Sequence, residues 1–201
     1  MTIRSKQSGF SLVETLVAIT ILLIVIVGPM TISMQTAKSS SFASEQVTAF
    51  FLAQEGIELV EKARNDLQIR YFLPTTDSNY LPQPWTTNFS NTSGTYALCY
   101  AANGCGLSIT DDDIGSLAAP QNCSTLTNCL LKFDPNTNTR AHYKHTSTSV
   151  LIATPYTRVI SLQLINANEV RVVSRVSWRT GSLVSEQDVT VETRLFNVYG
   201  N

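Results

Sequence analysis

Charge is scarce in this chain. Only 14% of its 201 residues are Asp, Glu, Lys or Arg, where soluble domains carry about 25%. With 14 basic and 15 acidic residues the formal net charge is −1, which leaves no clustered basic surface of the kind that phosphate backbones require, so no nucleic acid partner is expected. Histidine is rarer still: His142 and His145 are the only two, and neither accompanies a Ser or Cys nucleophile motif. The nine glycines form no phosphate-cradling loop, and no HExxH pattern occurs. Asp111-Asp112-Asp113 reads as a solvated loop. Asp134-Pro135-Asn136-Thr137-Asn138 starts like a calcium loop but has Thr139 where the sixth-position glycine belongs and His145 where the terminal acid belongs. These absences point to a protein that is not an enzyme, with no metal and no cofactor.

Charge is missing above all from Leu16 to Ile32, a run broken only by Thr20, Gly28, Pro29 and Thr31. At ~1.5 Å per helical residue this run approaches the ~30 Å hydrocarbon thickness of a bilayer. Arg4 and Lys6 precede it on the short side, which predicts a single pass with the N-terminus in the cytoplasm and the bulk of the chain outside. One carboxylate, Glu14, sits just inside the edge. A charge near the centre of a spanning helix costs roughly 2.5–3.5 kcal/mol and less near the interface, so an acid held there implies a task. A cleavable signal peptide would need a small-x-small site after the apolar core, which Gln35-Thr36-Ala37 does not supply. A plain membrane anchor explains neither the sharp Gly9-Phe10 border nor Glu14.

The order Gly9, Phe10, Ser11, Leu12, Val13, Glu14, followed by the long apolar helix, resembles the type IV prepilin family, including its minor pilins and the pseudopilins of type II secretion. The resemblance implies that a membrane-embedded prepilin peptidase/methyltransferase cuts between Gly9 and Phe10 and methylates the new Phe10 amine. It also implies that other pilin subunits are the partners, that assembly buries the apolar helix, and that Glu14 meets the N-terminal amine of a subunit already in the filament. Loss of Arg4 and Lys6 leaves 12 basic against 15 acidic residues, a formal charge of −3. An amine and a carboxylate ~4 Å apart attract by ~1 kcal/mol in water and ~4 at an effective dielectric near 20, and in an apolar bundle each needs such a partner. Gly28-Pro29 marks either a simple kink, at ~3 kcal/mol or more for a proline inside a helix, or, by the resemblance, a stretch of helix that melts in the assembled filament.

Four segments follow from this reading: a leader peptide (1–9), a transmembrane and filament-core helix (10–34), an amphipathic second half of that helix (35–70), and a β-rich head (71–201). Ala43, Val47, Phe50, Ile57, Val60 and Leu67 recur at helical spacings as an apolar stripe. Ser39-Ser40-Ser41 is expected to loosen the join, and Gly56 to weaken the helix by up to ~1 kcal/mol relative to alanine. Ala53 to Asn65, AQEGIELVEKARN, is also similar to the corresponding segment of minor pilins. Pro74, Pro82 and Pro84 end the helix, and the loop from Leu73 to Ser93 carries Trp85 and Phe89 to pin it down. Strands are expected at Thr95–Tyr100 and Cys129–Phe133, and by clear alternation at Tyr156–Ile165, Glu169–Arg179 and Asp188–Tyr199. Asn166-Ala167-Asn168 and Thr180-Gly181-Ser182 supply the hairpin turns. The fold class is α+β and pilin-like, a long N-terminal helix laid on an antiparallel sheet. Arg171, Arg175 and Arg179 line one strand face, where Asp188, Glu192 and Glu186 are placed to neutralise them.

Cys99, Cys105, Cys123 and Cys129 form two C-x5-C pairs in the exported part, a pattern of disulfides rather than zinc, whose paired ligands stand two to four residues apart. Local pairing (Cys99 with Cys105, Cys123 with Cys129) and nested pairing across adjacent strands both fit. The functional expectation is a minor pilin of a type IV pilus, anchored in the cytoplasmic membrane before assembly. The alternatives are a periplasmic pseudopilin and a membrane-anchored extracellular binding module.

Overall fold

The computed structural model describes residues 9, 11–72, 84–110, 116–124, 129–135, 142–145, 151–179 and 185–198. The chain divides into two units, Met1–Ser44 and Glu45–Asn201. Helix α1 (Leu12–Phe72) is 61 residues long and begins in the first unit and ends in the second. It runs unbroken through Ser39-Ser40-Ser41, so the expected loosening there does not occur. Serine is only a moderately poor helix former, and three serines do not outweigh the cooperative helix on either side.

In the first unit, residues 11–41 are exposed on every side. This is the one helix among the described residues that is long and apolar enough to cross a membrane, with a mean hydropathy of 2.6 over its best window. Its hydroxyls do not ask for outside partners. Thr20 donates to the Val17 carbonyl (2.8 Å), Thr31 to Gly28 (2.8 Å) and Ser33 to Pro29 (2.9 Å), so each of these hydroxyls is satisfied by its own helix, as a hydrocarbon solvent demands.

The second unit is an antiparallel sheet with the last turns of α1 packed on it. Its strands are β1 (Cys105–Gly106), β2 (Gln121–Asn122), β3 (Leu130–Asp134), β4 (His142–Lys144), β5 (Ile152–Asn166), β6 (Glu169–Trp178) and β7 (Gln187–Phe196). The 15-residue β5 organises them: β6 pairs along one edge and β7 continues from β6, while β1 and β3 share the opposite edge, extended by β2 and β4. Where β3 crosses Pro155 the register shifts, Leu130 facing Thr157 but Lys132 facing Ala153. Proline has no N–H to give the ladder, and Thr154 supplies a substitute by donating its hydroxyl to the Leu131 carbonyl (2.6 Å). The β5–β6 turn forms at Asn166-Ala167-Asn168, with the Asn168 N–H held by the Asn166 side chain (2.9 Å). Thr180-Gly181-Ser182, Asp111–Asp113 and Asn136–Asn138 lie outside the described residues.

Ile57, Val60, Ala63 and Leu67 of α1 meet Ile160, Leu162, Val170, Val172 and Leu195 of the sheet in one core, closed at one end by Trp85, Phe89 and Tyr96. Trp85 stacks on Phe89 with ring centroids 4.3 Å apart, which pins the segment as expected, although Thr86–Phe89 forms a short helix (α2) rather than loop. Three further expectations need correction. Thr95–Tyr100 is not a strand: Ala97–Tyr100 is a 3-10 turn, built on bonds such as Cys99 N–H to the Tyr96 carbonyl (2.9 Å), so Tyr96 and Cys99 point inward and Leu98 outward. Leu164, which strict alternation from Ile160 and Leu162 across Tyr156–Ile165 would turn inward, is exposed near the strand end, where the register shifts. Ahead of Ile57 the buried face of α1 is also rotated from the expected stripe: Ala43, Val47 and Phe50 are exposed, while Ala49, Leu52, Ala53 and Gly56 are covered; Ile57, Val60 and Leu67 of the stripe are buried as expected.

The rotation has a steric cause. Small residues let the helix axis approach the sheet, and Gly56 marks the closest point: a Cβ there would collide with Ser174 Oγ and lie 3.1 Å from Arg158 Cδ. What reads in sequence as a weak helical residue is a packing requirement. Replacing it with a branched side chain forces apart a close-packed interface, at about 1–3 kcal/mol. Gly56→Val is expected to lower the unfolding free energy by that amount, read as a lower urea midpoint at an unchanged m-value, whereas Gly28→Val, where a Cβ meets nothing within 4 Å, leaves the midpoint within error.

Candidate functional site

Two places in the chain hold polar groups where apolar surroundings make them expensive. The first is the start of α1. Ser11 immediately precedes the helix and its carbonyl accepts from the Glu14 and Thr15 N–H groups (3.0 and 3.2 Å). Glu14 therefore stands in the first turn, where N–H groups have no intrahelical acceptor and negative charge is favoured by roughly 0.3–1 kcal/mol. Its side chain is exposed and makes no ion pair or hydrogen bond among the described residues. Ser11-Leu12-Val13-Glu14 also has the spacing of a helix-start capping pattern, a signal that the sequence reading passed over. Gly9 is exposed, and a Cβ there would meet nothing within 4 Å. Phe10, the expected site of cleavage and methylation, lies outside the described residues. Gly28 and Pro29 are both helical, and the Pro29 carbonyl, like that of Gly28, accepts a side-chain hydroxyl.

The cysteines are joined locally, Cys99 to Cys105 with Cα atoms 4.6 Å apart and Cys123 to Cys129 at 5.4 Å. Both bridges are buried. The first fastens the 3-10 turn to β1, and the second joins the end of β2 to the start of β3. Among the described residues no group of His, Cys, Asp and Glu is arranged to hold a metal ion. Arg171 and Arg175 are paired across the β6–β7 hairpin with Glu192 and Asp188 (the latter at 3.2 Å), the neutralisation expected. Arg171 stands directly opposite Arg194, and Arg194 is in turn held by Glu169 (2.9 Å).

The second place was not singled out by sequence. Arg158, on the inward face of β5, has no exposed surface. One guanidinium nitrogen reaches the Leu52 carbonyl (3.1 Å) and Glu55 (2.8 Å) on α1, and the other reaches the Leu107 carbonyl (2.9 Å). Burial lowers its pKa, and Glu55 acts in the opposite sense. Lys144 and Asp134 form a second buried pair at 2.5 Å. Directly after Lys144 in sequence, the His145 ring lies over Gly106, where a Cβ would come within 2.9 Å of its Cδ2. Neither ring nitrogen has a well-formed hydrogen bond among the described residues. Burial, and then the charge of Arg158, lower its pKa from 6.5 to about 3, with nearby backbone of Leu130, Cys129 and Leu107 acting weakly the other way. Arg158 joins helix to sheet, Lys144 and Asp134 join β4 to β3, and all of these groups are buried.

The sign of the pH effect follows. A histidine neutral in the fold but titrating near 6.5 when unfolded adds stability that is fully present above pH 6.5 and is lost as the pH falls toward 3. Each unit of that window is worth about 1.4 kcal/mol, so the loss from pH 6.5 to 4.5 approaches about 2–3 kcal/mol. Urea midpoints measured across this range should fall more steeply for the native chain than for His145→Gln, the difference reporting this one group.

Residues 4–28 match the prokaryotic N-terminal methylation motif. No curated protein and no solved structure matches the chain. The glycine, the acid in the first helical turn and the exposed apolar helix thus fall within one recognised segment, and the chain bears at residues 4–28 the type IV prepilin-type signal.

Proposed function

We propose that this chain is the precursor of a minor pilin, cut by prepilin peptidase between Gly9 and Phe10, methylated on the Phe10 amine and built into a type IV pilus. The motif itself is that of type IV pilin and pseudopilin precursors. The observation that carries the finer reading is the order Gly9-Phe10, Glu14, apolar helix, joined to a helix-on-sheet head with two buried disulfides. Before assembly the subunit sits in the cytoplasmic membrane as a single pass, with Arg4 and Lys6 on the cytoplasmic side and the head outside, where disulfides persist. In the filament the apolar surface of α1 leaves lipid for neighbouring helices, and the Phe10 amine meets Glu14 of the same or an adjacent subunit. Removal of the leader creates that amine, so processing and assembly are chemically linked. The role is structural, and neither catalysis nor a cofactor is needed for it.

Mass spectrometry of the mature protein should find an N-terminal peptide that begins at a methylated Phe10, and any other N-terminus removes the central support. Glu14→Ala is expected to leave cleavage and membrane insertion intact while reducing recovery in sheared filaments by tenfold or more. Filaments on the cell surface seen by electron microscopy with this subunit in them favour the pilus. Confinement of the mature subunit to the periplasm favours a pseudopilus.

A further inference from the structure

A cleft of about 360 Å³ opens in the second unit where the last turns of α1 face residues 88, 95–96 and 116–117. That volume is at the lower end of small-molecule sites, which run from roughly 300 to 1,000 Å³. Leu67 and Leu117 supply apolar lining, and Asp66, Arg70, Asn88 and Tyr96 supply polar groups. Asp66 is held by Lys62 (2.8 Å), yet a carboxylate has about four acceptor positions and keeps room for more donors. Asn88 gives its amide N–H to the Ala63 carbonyl (3.4 Å), which leaves its side-chain oxygen to accept. Tyr96 is 95% covered, being 5% exposed, and its hydroxyl has no hydrogen-bond partner among the described residues. Burial and the nearby Asp66 charge push its pKa up to about 12, so it remains a donor at any physiological pH.

The walls are set before any ligand arrives. The Thr95 N–H bonds the Thr87 carbonyl (2.8 Å), the Ala118 N–H bonds the Ser108 carbonyl (2.8 Å), Tyr100 donates to the Phe89 carbonyl (2.8 Å), and Cys99–Cys105 closes the turn behind Tyr96. Preorganisation of this kind lowers the ordering cost of binding. The Tyr96 hydroxyl, on the wall of the cleft and without a protein partner among the described residues, keeps its donor for a ligand. A donor beside two acceptors, with apolar side chains alongside, complements a molecule that carries adjacent hydroxyls on a ring with an apolar face. Hydrocarbon is disfavoured by the four polar side chains, and a simple anion by Asp66.

We infer that this cleft binds a hydroxyl-rich ligand of monosaccharide size, Asp66 and Asn88 accepting from its hydroxyls, Tyr96 donating to one, and Leu67 and Leu117 covering its C–H face. The inference stands apart from prepilin processing and survives or fails without it. The test uses the full chain in phosphatidylcholine nanodiscs and saturation-transfer NMR with millimolar glucose, galactose, N-acetylglucosamine and galacturonate. Transfer to the ring protons of at least one neutral sugar is expected, weakened fivefold or more by Tyr96→Phe and by Asp66→Asn, with circular dichroism and thermal midpoint showing both variants folded. No transfer to any of the four overturns the assignment, as does transfer that both folded variants retain in full. Transfer to galacturonate alone also overturns it, since that pattern is carboxylate recognition by Arg70 instead.

Discussion

A fully buried guanidinium fastens the last turns of α1 to the sheet. Arg158 reaches two points on the helix, the Leu52 carbonyl and the Glu55 carboxylate, and one on the segment after β1, the Leu107 carbonyl. Taking such a charge out of water costs several kcal/mol, recovered only with good geometry and satisfied donors. The geometry here depends on Gly56, because only a residue without a side chain leaves space for the stem of Arg158 and for Ser174 against the helix. It depends as well on Glu55, whose carboxylate stays partly in contact with water and so brings its charge to the pair at a smaller desolvation cost. Helix position, sheet register and the small-residue seam of Ala49, Ala53 and Gly56 are therefore one problem with one solution. The core around Ile57, Val60, Ile160 and Val172 supplies most of the hydrophobic driving force but is non-directional. The arginine contributes direction.

The same helix meets opposite demands along its length. From Leu12 to Met34 its large side chains are more than half exposed almost throughout, an apolar surface far beyond what a soluble monomer leaves open. Beyond Glu45 it is covered on one face and wet on the other. A bilayer and a bundle of like helices are both apolar solvents for the first stretch, and hydroxyls bonded back to their own helix suit either. Transfer from one to the other then exchanges similar environments for everything except the charges. Glu14 is the one charged residue from Leu12 to Met34, so it is the group in this stretch whose energy depends most on whether an opposite charge is near.

Much of this was legible in the residues. The apolar run, the border at Gly9, the acid five residues beyond Phe10 counted inclusively from it, and the three long strands are local signals, each written as a run or an alternation in consecutive positions. The helix-on-sheet class follows from them, because a half-apolar sheet and a half-apolar helix have each other as the nearest cover. The functional end of the chain was readable for the same reason: peptidase recognition, membrane insertion and charge placement act on a contiguous stretch. Which face of α1 turns inward was readable only from Ile57 on, where Ile57, Val60 and Leu67 of the apolar stripe are buried. Large side chains at Val47 and Phe50 suggested one stripe, and close approach favoured the smaller residues beside it.

Sequence alone determined the membrane-length helix, the prepilin-type signal at its start and the existence of a three-stranded β meander, since these rest on the order and polarity of neighbouring residues. Only tertiary structure decided that Arg158, Lys144, Asp134 and His145 would be buried, that Gly56 is a contact point and not a weakness, and that Tyr96 would face a cleft beside Asp66 and Asn88. Each of those outcomes depends on groups far apart in the chain, Arg158 and Leu52 being 106 residues from one another. A polar side chain can be placed inside only when distant backbone and charge arrive to satisfy it, and no local pattern records that arrival.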